Sequence, residues 1–392
     1  AGKPERYGKS KLALYFELLL EDVQPEDVRD EVLKDIWELD KLNIELKTTP
    51  TKNYRTIRFT EIYQADIKEE LKKAIYVQLK QENVSSVARE MTAMRRLSRY
   101  LKEKHPEIES CQDISRAIVE DYLTYLNTES LQTKEFRSEL NRLRSVLEMV
   151  GKLYHYEQLD NIILNRDIPP SKRAEFKTYS DAELKRINSF LVKVDEQTAR
   201  LMIIHQMLGT RISDTLTLRT DCLIEKGNEV IIRINQPKSH YYEKPISMEL
   251  ASLIKAAIKY TKEKIGDTEY IFANENNPKV PWTYGRICDR ILRLIYKEDI
   301  RDDNGQLFGF NSHMYRHYYG VKLTEMHLDD WTIARLLGHS SLRNVRYYRR
   351  MSNQILADET RAVRNKLSQI ILDNLDGWGE EYEQIRYDDS LQ

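Results

Sequence analysis

Apolar residues recur every three or four positions through much of this chain, which is the spacing of amphipathic helices. Between residues 65 and 156 the pattern predicts four consecutive helices: ADIKEELKKAIYVQLKQ, SSVAREMTAMRRLSRYLKEKH, DISRAIVEDYLTYLNT and KEFRSELNRLRSVLEMVGKLYHY. The second starts at a serine, a good helix cap, and ends before Pro106. These segments predict an all-helical domain at residues 67–165.

Residues 1–66 are expected to form a separate acidic appendage of open role. Within it, PEDVRDEVLKDIWELDKL spaces Val28, Val32, Ile36 and Leu39 as a helix would. The following stretch, NYRTIRFTEIY, alternates apolar and polar residues and predicts a short strand or an extended arm.

The pattern changes again after residue 165. Pro169 and Pro170 lie among charged residues and indicate a linker at 166–178. The sequence SDAE from Ser180 is a capping box that opens the next domain, 179–352. Inside this domain NEVIIRINQPKSHYYEKPISM alternates and predicts a β-hairpin that turns near residues 238–241. Residues 353–392 are expected to form a C-terminal helix and an acidic tail. Together, the predicted helices and the hairpin indicate a fold that is mainly α with a small β-sheet (α+β).

Composition narrows the class of protein. Hydrophobic residues make up 41% of the 392 positions and charged residues 32%. The sequence contains no run of 18 apolar residues, so it predicts no membrane span. The first residues lack the apolar core of a secretory signal. Three widely separated cysteines argue against a disulfide framework or a four-cysteine zinc site. A reducing cytoplasm is the expected location.

The net charge of −1 conceals an uneven distribution. Residues 171–370 hold 33 basic and 25 acidic side chains, whereas residues 371–392 hold one basic and seven acidic ones. Nucleic-acid binding requires a basic face rather than a basic total, so the charge does not exclude DNA as a partner.

Four short motifs place basic residues in unusual contexts. LGTRISDTLTLR carries Arg211 with an acidic neighbour, Asp214, and the hairpin tip carries Lys238, with Lys244 as a second candidate. HMYRH places His313 and Arg316 one helical turn apart, and LLGHSS places His339 after a glycine. Two arginines, a lysine and two histidines suit an anionic phosphoryl group, since arginine binds its oxygens bidentately and lysine can protonate a leaving oxygen.

Two adjacent tyrosines follow in the basic stretch RNVRYYRR. A phenol is a competent nucleophile when nearby cations stabilise its charge. Packing of both rings on a solvated basic helix is the alternative interpretation of Tyr347 and Tyr348.

The ordered set of motifs resembles the tyrosine recombinases, a family that includes phage integrases and transposon integrases. Arg211, the hairpin Lys238, the pair His313 and Arg316, and His339 follow the family's order. The family's nucleophile usually lies nine residues after the last histidine, which selects Tyr348 over Tyr347. The resemblance covers roughly residues 67–355, and the stretch RNVR between His339 and the tyrosines departs from the usual pattern.

The resemblance implies a site-specific recombinase of a mobile genetic element, which integrates or excises DNA. It implies that the helical domain and the catalytic domain close around double-stranded DNA as a C-shaped clamp. Tyr348 would form a 3′-phosphotyrosyl link, Lys238 would protonate the leaving 5′-oxygen, Arg211 and Arg316 would hold the phosphate, and His313 and His339 would assist. No cofactor and no metal are expected, and a homo-tetramer on two synapsed sites is the implied assembly.

DNA contacts are expected from two basic stretches. The first is the helix side that carries Arg95, Arg96, Arg99 and Lys102, for which a solvated surface is the alternative. The second carries Arg343 and Arg346 beside the nucleophile, where contacts to backbone phosphates are expected.

Other functions stay open at this point. The same chemistry serves a type IB topoisomerase or a hairpin-forming resolvase, and a non-catalytic DNA-binding accessory protein could keep the fold. His313 and His317 have the spacing of zinc ligands on a helix, as in a metal-dependent nuclease, but the usual glutamate is missing and Arg316 would repel a cation.

Overall fold

The computed structural model describes residues 27–52, 54–128, 136–170, 177–227, 229–236, 241–346 and 348–349, together with five isolated helical positions between residues 12 and 20. The chain divides into two compact units. The first consists of Ala1–Thr48 and Asn53–Lys172, and the second of Thr49–Lys52 and Arg173–Gln392. The predicted C-terminal helix at 353–392 lies outside the described residues.

The four predicted helices of the first unit are confirmed. They are α1 (Ala65–Gln81), α2 (Val84–Lys104), α3 (Arg116–Thr128) and α4 (Arg137–Tyr154). The cap of α2 is Asn83, whose side chain accepts a hydrogen bond from the Ser85 backbone N–H, rather than the serine that the sequence indicated. The apolar faces of α1, α2 and α4 supply most of the buried core.

Residues 36–62 belong to this same core, which differs from the separate appendage expected. Strand β1 (Ile36–Glu38) pairs antiparallel with β2 (Thr56–Arg58), and Trp37 lies opposite Ile57. Trp37 is fully buried, and its ring centroid lies 4.7 Å from that of Phe59. The predicted strand near residue 57 is therefore confirmed.

The helix predicted across residues 25–42 is wrong where the structure describes it. Only one 3-10 turn forms, Glu31–Leu33, and Val28 is 92% exposed. The Glu31 carboxylate accepts hydrogen bonds from the Glu38 backbone N–H and the Lys34 ammonium. Pairing with Ile57 then holds Trp37 in a strand and buries it.

The second unit begins at the predicted capping box on Ser180, which is confirmed. Its helices are α5 (Asp181–Phe190), α6 (Glu196–Leu208), α7 (Ile212–Leu216), α8 (Met248–Lys264), α9 (Tyr284–Lys297), α10 (Ser312–Glu325) and α11 (Asp330–Leu337). One antiparallel sheet has the order β3 (Leu223–Lys226), β4 (Glu229–Asn235), β5 (Tyr241–Ile246), and a second ribbon joins β6 (Ala273–Asn274) to β7 (Asn277–Pro281).

The predicted hairpin is therefore confirmed as β4 and β5, with β3 added at its edge. The apolar residues of β4 face the core, since Val230, Ile232 and Ile234 are buried in alternation with more exposed positions. None of the described helices is both long and apolar enough to cross a membrane. The mainly helical fold with small antiparallel sheets agrees with the predicted class.

Candidate active site

Arg316 lies at the centre of the candidate site. It projects from α10 and is 1% exposed. Its two terminal nitrogens donate to the carbonyl oxygens of Gly209 at 3.2 Å and Leu337 at 2.8 Å. Helix ends carry unpaired carbonyls and partial negative charge, so they suit a buried cation. Burial lowers the pKa of Arg316, while Tyr348 opposes that shift.

The carbonyls bound by Arg316 lie at the ends of α6 and α11. Each helix ends at a glycine in the left-handed conformation, Gly209 with φ 61° and Gly338 with φ 64°. Glycine adopts this backbone geometry without steric cost. The two turns deliver Arg211 and His339 to the same place, because each follows its glycine within two residues.

Arg211 is held loosely beside Asp214. Its guanidinium lies 3.7 Å from the Asp214 carboxylate, and the arginine side chain is 42% exposed. Asp214 is buried, which raises the pKa of its carboxyl group although Arg211 opposes the shift. The Ser213 hydroxyl also donates to Asp214 at 3.0 Å. The Arg211 guanidinium therefore lies near the Asp214 carboxylate while part of the side chain stays exposed to solvent.

The two histidines are neutral at pH 7. Desolvation lowers the pKa of His313 to about 4, and the charges of Arg316 and Arg211 act in the same direction. Desolvation, followed by the same arginines, lowers the pKa of His339 to about 3. Among the described residues no hydrogen-bond partner reaches the buried Nδ1 of His339. Both imidazoles can therefore accept a proton, and a bound phosphate dianion or monoanion would raise their pKa.

Tyr348 packs against this group. It is 4% exposed and lies in a small apolar cluster with Leu323, Ile333, Leu337 and Val345. Its ring is nearly parallel to that of His339, with the centroids 6.0 Å apart, and lies 6.2 Å from the ring of His317. The close approach depends on Gly320, where a Cβ atom would lie 2.7 Å from the Tyr348 ring.

The β4–β5 hairpin is attached to the His339 turn. The Gln236 amide donates to the Gly338 carbonyl oxygen at 2.9 Å. The Tyr242 ring lies so close to Gly338 that a Cβ atom there would meet it at 2.4 Å. Lys238 and Tyr347 lie outside the described residues, so their roles stay predictions.

Lys244, the second candidate for the hairpin lysine, is buried instead of exposed. It is 3% exposed and donates to the carbonyl oxygens of Leu208 and, at 3.2 Å, Leu336. Its ammonium also lies 5.0 Å from the centroid of the Tyr319 ring. Burial, with a smaller effect of Arg316, lowers the pKa of Lys244 to about 7.

The basic residues predicted to contact DNA from α2 are engaged within their own unit. Arg95 donates to the Arg58 carbonyl at 2.7 Å, Arg96 pairs with Glu139 at 2.7 Å, Arg99 lies 3.8 Å from Glu61, and the Lys102 ammonium lies 3.9 Å from the Tyr63 ring centroid. Such partly exposed contacts contribute about 0–1 kcal/mol each, so phosphates can replace them. Arg343 and Arg346 are exposed beside Tyr348. All six assignments stay predictions.

The structure thus brings together five of the residues singled out from the sequence: Arg211, His313, Arg316, His339 and Tyr348. Sequence reasoning did not single out Gly320, Gln236 or His205. The buried His205 hydrogen-bonds to Thr215 at 2.9 Å and to the Ser312 carbonyl at 3.1 Å, and it thereby joins α6 to α7 and α10. A histidine in the apolar helix α6 was the available signal for that role.

The metal-site alternative gains no support from the described residues, which contain no group of three or more His, Cys, Asp or Glu side chains able to hold an ion. His313 and His317 pack edge to face with ring centroids 4.4 Å apart. The His317 ring nitrogen Nδ1 is bonded to the Lys177 carbonyl at 2.9 Å.

Comparison with known proteins finds similarity to a family model and to transposon transposases. Residues 177–354 match the sequence model of the phage integrase family. Transposase B from transposon Tn554 of Staphylococcus aureus is 25% identical over 342 residues, which cover 85% of this chain and 53% of the transposase. Transposase B from transposon PsiTn554 of the same species is 26% identical over 346 residues, with the same coverage. The chain therefore spans about half the length of these curated relatives.

Two solved structures share the fold. The site-specific recombinase XerH, crystallised with a palindromic difH substrate, aligns with a TM-score of 0.54 at 17% identity, over 77% of this chain and 91% of XerH. A fragment of the Tn1549 transposon integrase in complex with a circular intermediate DNA aligns with a TM-score of 0.52 at 15% identity, over 74% of this chain and 98% of that fragment.

Proposed function

Because residues 177–354 match the sequence model of the phage integrase family, we propose that this chain cleaves and rejoins double-stranded DNA at a specific site to move a mobile element. The observation that carries the proposal is the convergence of two arginines and two neutral histidines on one buried tyrosine. This set supplies a nucleophile, proton acceptors and fixed positive charge for a phosphodiester.

The proposed cleavage step is a transesterification. The Tyr348 oxygen attacks the phosphorus and loses its proton to a neutral imidazole, His313 or His339, while the bond from phosphorus to the 5′-oxygen breaks. Lys238 gives the leaving oxygen a proton. The product is a 3′-phosphotyrosyl ester. In the reverse step the 5′-hydroxyl of another strand attacks the phosphorus, and the bond from phosphorus to the tyrosine oxygen breaks.

The phosphate would lie between the two arginines. Arg316 uses one N–H on each terminal nitrogen for a carbonyl, and a guanidinium has five N–H donors in all. Arg211 is half exposed and can turn its donors towards a phosphate oxygen. The two cations would stabilise the extra negative charge of the pentavalent transition state.

The assembly is part of the same proposal. A homo-tetramer on two synapsed sites would allow strands to exchange between partners. We expect the predicted C-terminal helix within residues 353–392, which lie outside the described residues, to dock on a neighbouring protomer. Removal of residues from 353 onward should cost assembly more than binding to a single site.

The test is covalent trapping on DNA from the ends of the native element. Tyr348→Phe should abolish the protein–DNA adduct while the Kd for the same DNA stays within about twofold, because the phenol oxygen contributes to chemistry rather than docking. Tyr347→Phe is the matched control and should retain the adduct. An adduct formed by Tyr348→Phe would remove Tyr348 from the mechanism.

The products separate recombination from related activities. Supercoiled DNA with one or two sites should yield recombinants only with two sites. Relaxation that proceeds equally with one site would favour a topoisomerase, and binding without any adduct in the unaltered chain would favour a non-catalytic accessory protein.

A further inference from the structure

Lys244 occupies a position where the strand pattern calls for an apolar side chain. In the β4–β5 pairing it lies opposite Ile232, between Tyr242 and Ile246 on the face that packs on the core. Burying an ammonium group is costly unless it is bonded. Among the described residues no carboxylate lies within ion-pair distance of Lys244, so its partners must be sought elsewhere.

Those partners are the same two helix ends that Arg316 binds. Lys244 donates to the carbonyl oxygens of Leu208 and Leu336. Arg316 donates to the next carbonyl along the chain in each case, Gly209 and Leu337. Two buried cations thus bind two consecutive carbonyls at the end of α6 and two at the end of α11. We name this group of two side chains and four carbonyls the cation bridge.

The cation bridge lies directly upstream of two site residues. Arg211 follows Leu208 by three positions, and His339 follows Leu336 by three positions. The turns between them are fixed by left-handed glycines. Because the bridge holds both helix ends to one strand and one helix, it sets where Arg211 and His339 stand relative to Arg316.

Resting on the proposed function, we infer that Lys244 is a positioning residue for phosphodiester cleavage, which holds the Arg211 and His339 turns in register through the cation bridge. It is not the proton donor to the leaving group, because its nitrogen is enclosed and both bonds point to backbone carbonyls. A neutral amine retains two N–H donors, so both bonds survive loss of a proton.

The experiment compares single-turnover cleavage of a nicked duplex from the element's end with cleavage of the same duplex carrying sulfur in place of the bridging 5′-oxygen. A thiolate leaves without protonation, so sulfur rescues the loss of a proton donor but not a misplaced site. Lys238→Met should cleave the oxygen substrate slowly and the sulfur substrate at nearly the unaltered rate.

Lys244→Met should lower the cleavage rate at saturating DNA by about 10- to 100-fold on both substrates, with the Kd for DNA within about twofold. Lys244→Arg, which keeps a cation, should recover part of the loss. Lys255→Met, at an exposed lysine of α8 that pairs with Glu225, is the control and should behave as the unaltered chain.

Two results would overturn the inference: cleavage by Lys244→Met at the unaltered rate, or rescue of that variant by sulfur. If Lys244→Met is unfolded at the assay temperature, Lys244→Gln, which keeps an amide donor, takes its place under the same criteria. Failure of the unaltered chain to form any Tyr348 adduct would instead overturn the proposed function, and the inference with it.

Discussion

Gly320 decides how closely Tyr348 can approach α10. The tyrosine ring lies against the glycine so tightly that a Cβ atom would be 2.7 Å from Cδ1 and 2.8 Å from two further ring carbons. A ring cannot bend out of the way, so any side chain at this position moves the whole phenol. Because the ring also stacks on His339, the displacement changes the distance between nucleophile and imidazole.

Gly320→Ala should therefore slow formation of the covalent adduct by roughly 10- to 100-fold, since displacement of a reacting group by about 1 Å has that effect. Binding of DNA should be unchanged. Single-turnover cleavage measures the rate. Gly285→Ala is the matched control, because it is a helical glycine whose nearest neighbour would lie 3.9 Å away, and its rate should not change.

The sequence predicted Tyr348 but not Gly320, for a physical reason. Arg211, His313, Arg316, His339 and Tyr348 lie in motifs whose order along the chain carries information. Gly320 and Gln236 matter only through contacts with residues 28 and 102 positions away. Nothing in the spacing of apolar or polar residues reveals such a contact before the chain is folded.

At the scale of elements, the β4–β5 hairpin forms part of the candidate site. Its first strand is followed directly by Gln236, whose side-chain amide donates to the Gly338 carbonyl oxygen. Its second strand supplies Tyr242 beneath Gly338 and Lys244 to the cation bridge. The predicted proton donor, Lys238, lies between these anchors in sequence.

Replacement of Gln236 by methionine should loosen the His339 turn. The Gly338 carbonyl would lose its buried donor, which costs about 1–3 kcal/mol. We expect a cleavage rate about tenfold lower and a lower Tm by thermal unfolding. Arg233→Met, on the exposed side of the same hairpin where Arg233 pairs with Glu243, should alter the free energy of unfolding by less than about 1 kcal/mol. Equal effects of both variants would contradict this role.

Helical periodicity in the sequence predicted the four helices of the first unit but not its strands. Helices α1 to α4 follow their predicted segments closely because each has an apolar face that packs on its neighbours within one unit. The segment around Trp37 has helical spacing too, yet it forms a strand. Its partner Ile57 lies 20 positions further on, and periodicity within one window cannot register a pairing of that range.

For the molecule as a whole, the segment at residues 36–62 changes what the first unit is. Trp37, Phe59 and Ile62 are buried in the core that α1, α2 and α4 build. A protein that begins near residue 67 would expose this apolar surface. The helical unit is therefore expected to need its preceding strands to fold.

Trp37→Ala should destabilise the first unit by about 3–5 kcal/mol, the usual cost of removing a buried large aromatic side chain. Urea unfolding monitored by circular dichroism measures the loss. Val28→Ala, nine residues upstream at a position that is 92% exposed, should lie within about 0.5 kcal/mol of the unaltered chain. A small effect of Trp37→Ala would mean that the strands only cover a helical unit that is stable alone.

The burial of Tyr348 has a consequence for when the proposed chemistry can start. A phenol that is 4% exposed cannot meet a phosphorus atom until binding of DNA opens a path to its oxygen, while the ring keeps its place against Gly320 and His339. Under the proposed function, random encounters with DNA would therefore end without a nick, since the free protein keeps the phenol enclosed. Opening of the site would add to the activation barrier only where DNA is specifically bound, and DNA elsewhere would stay uncut.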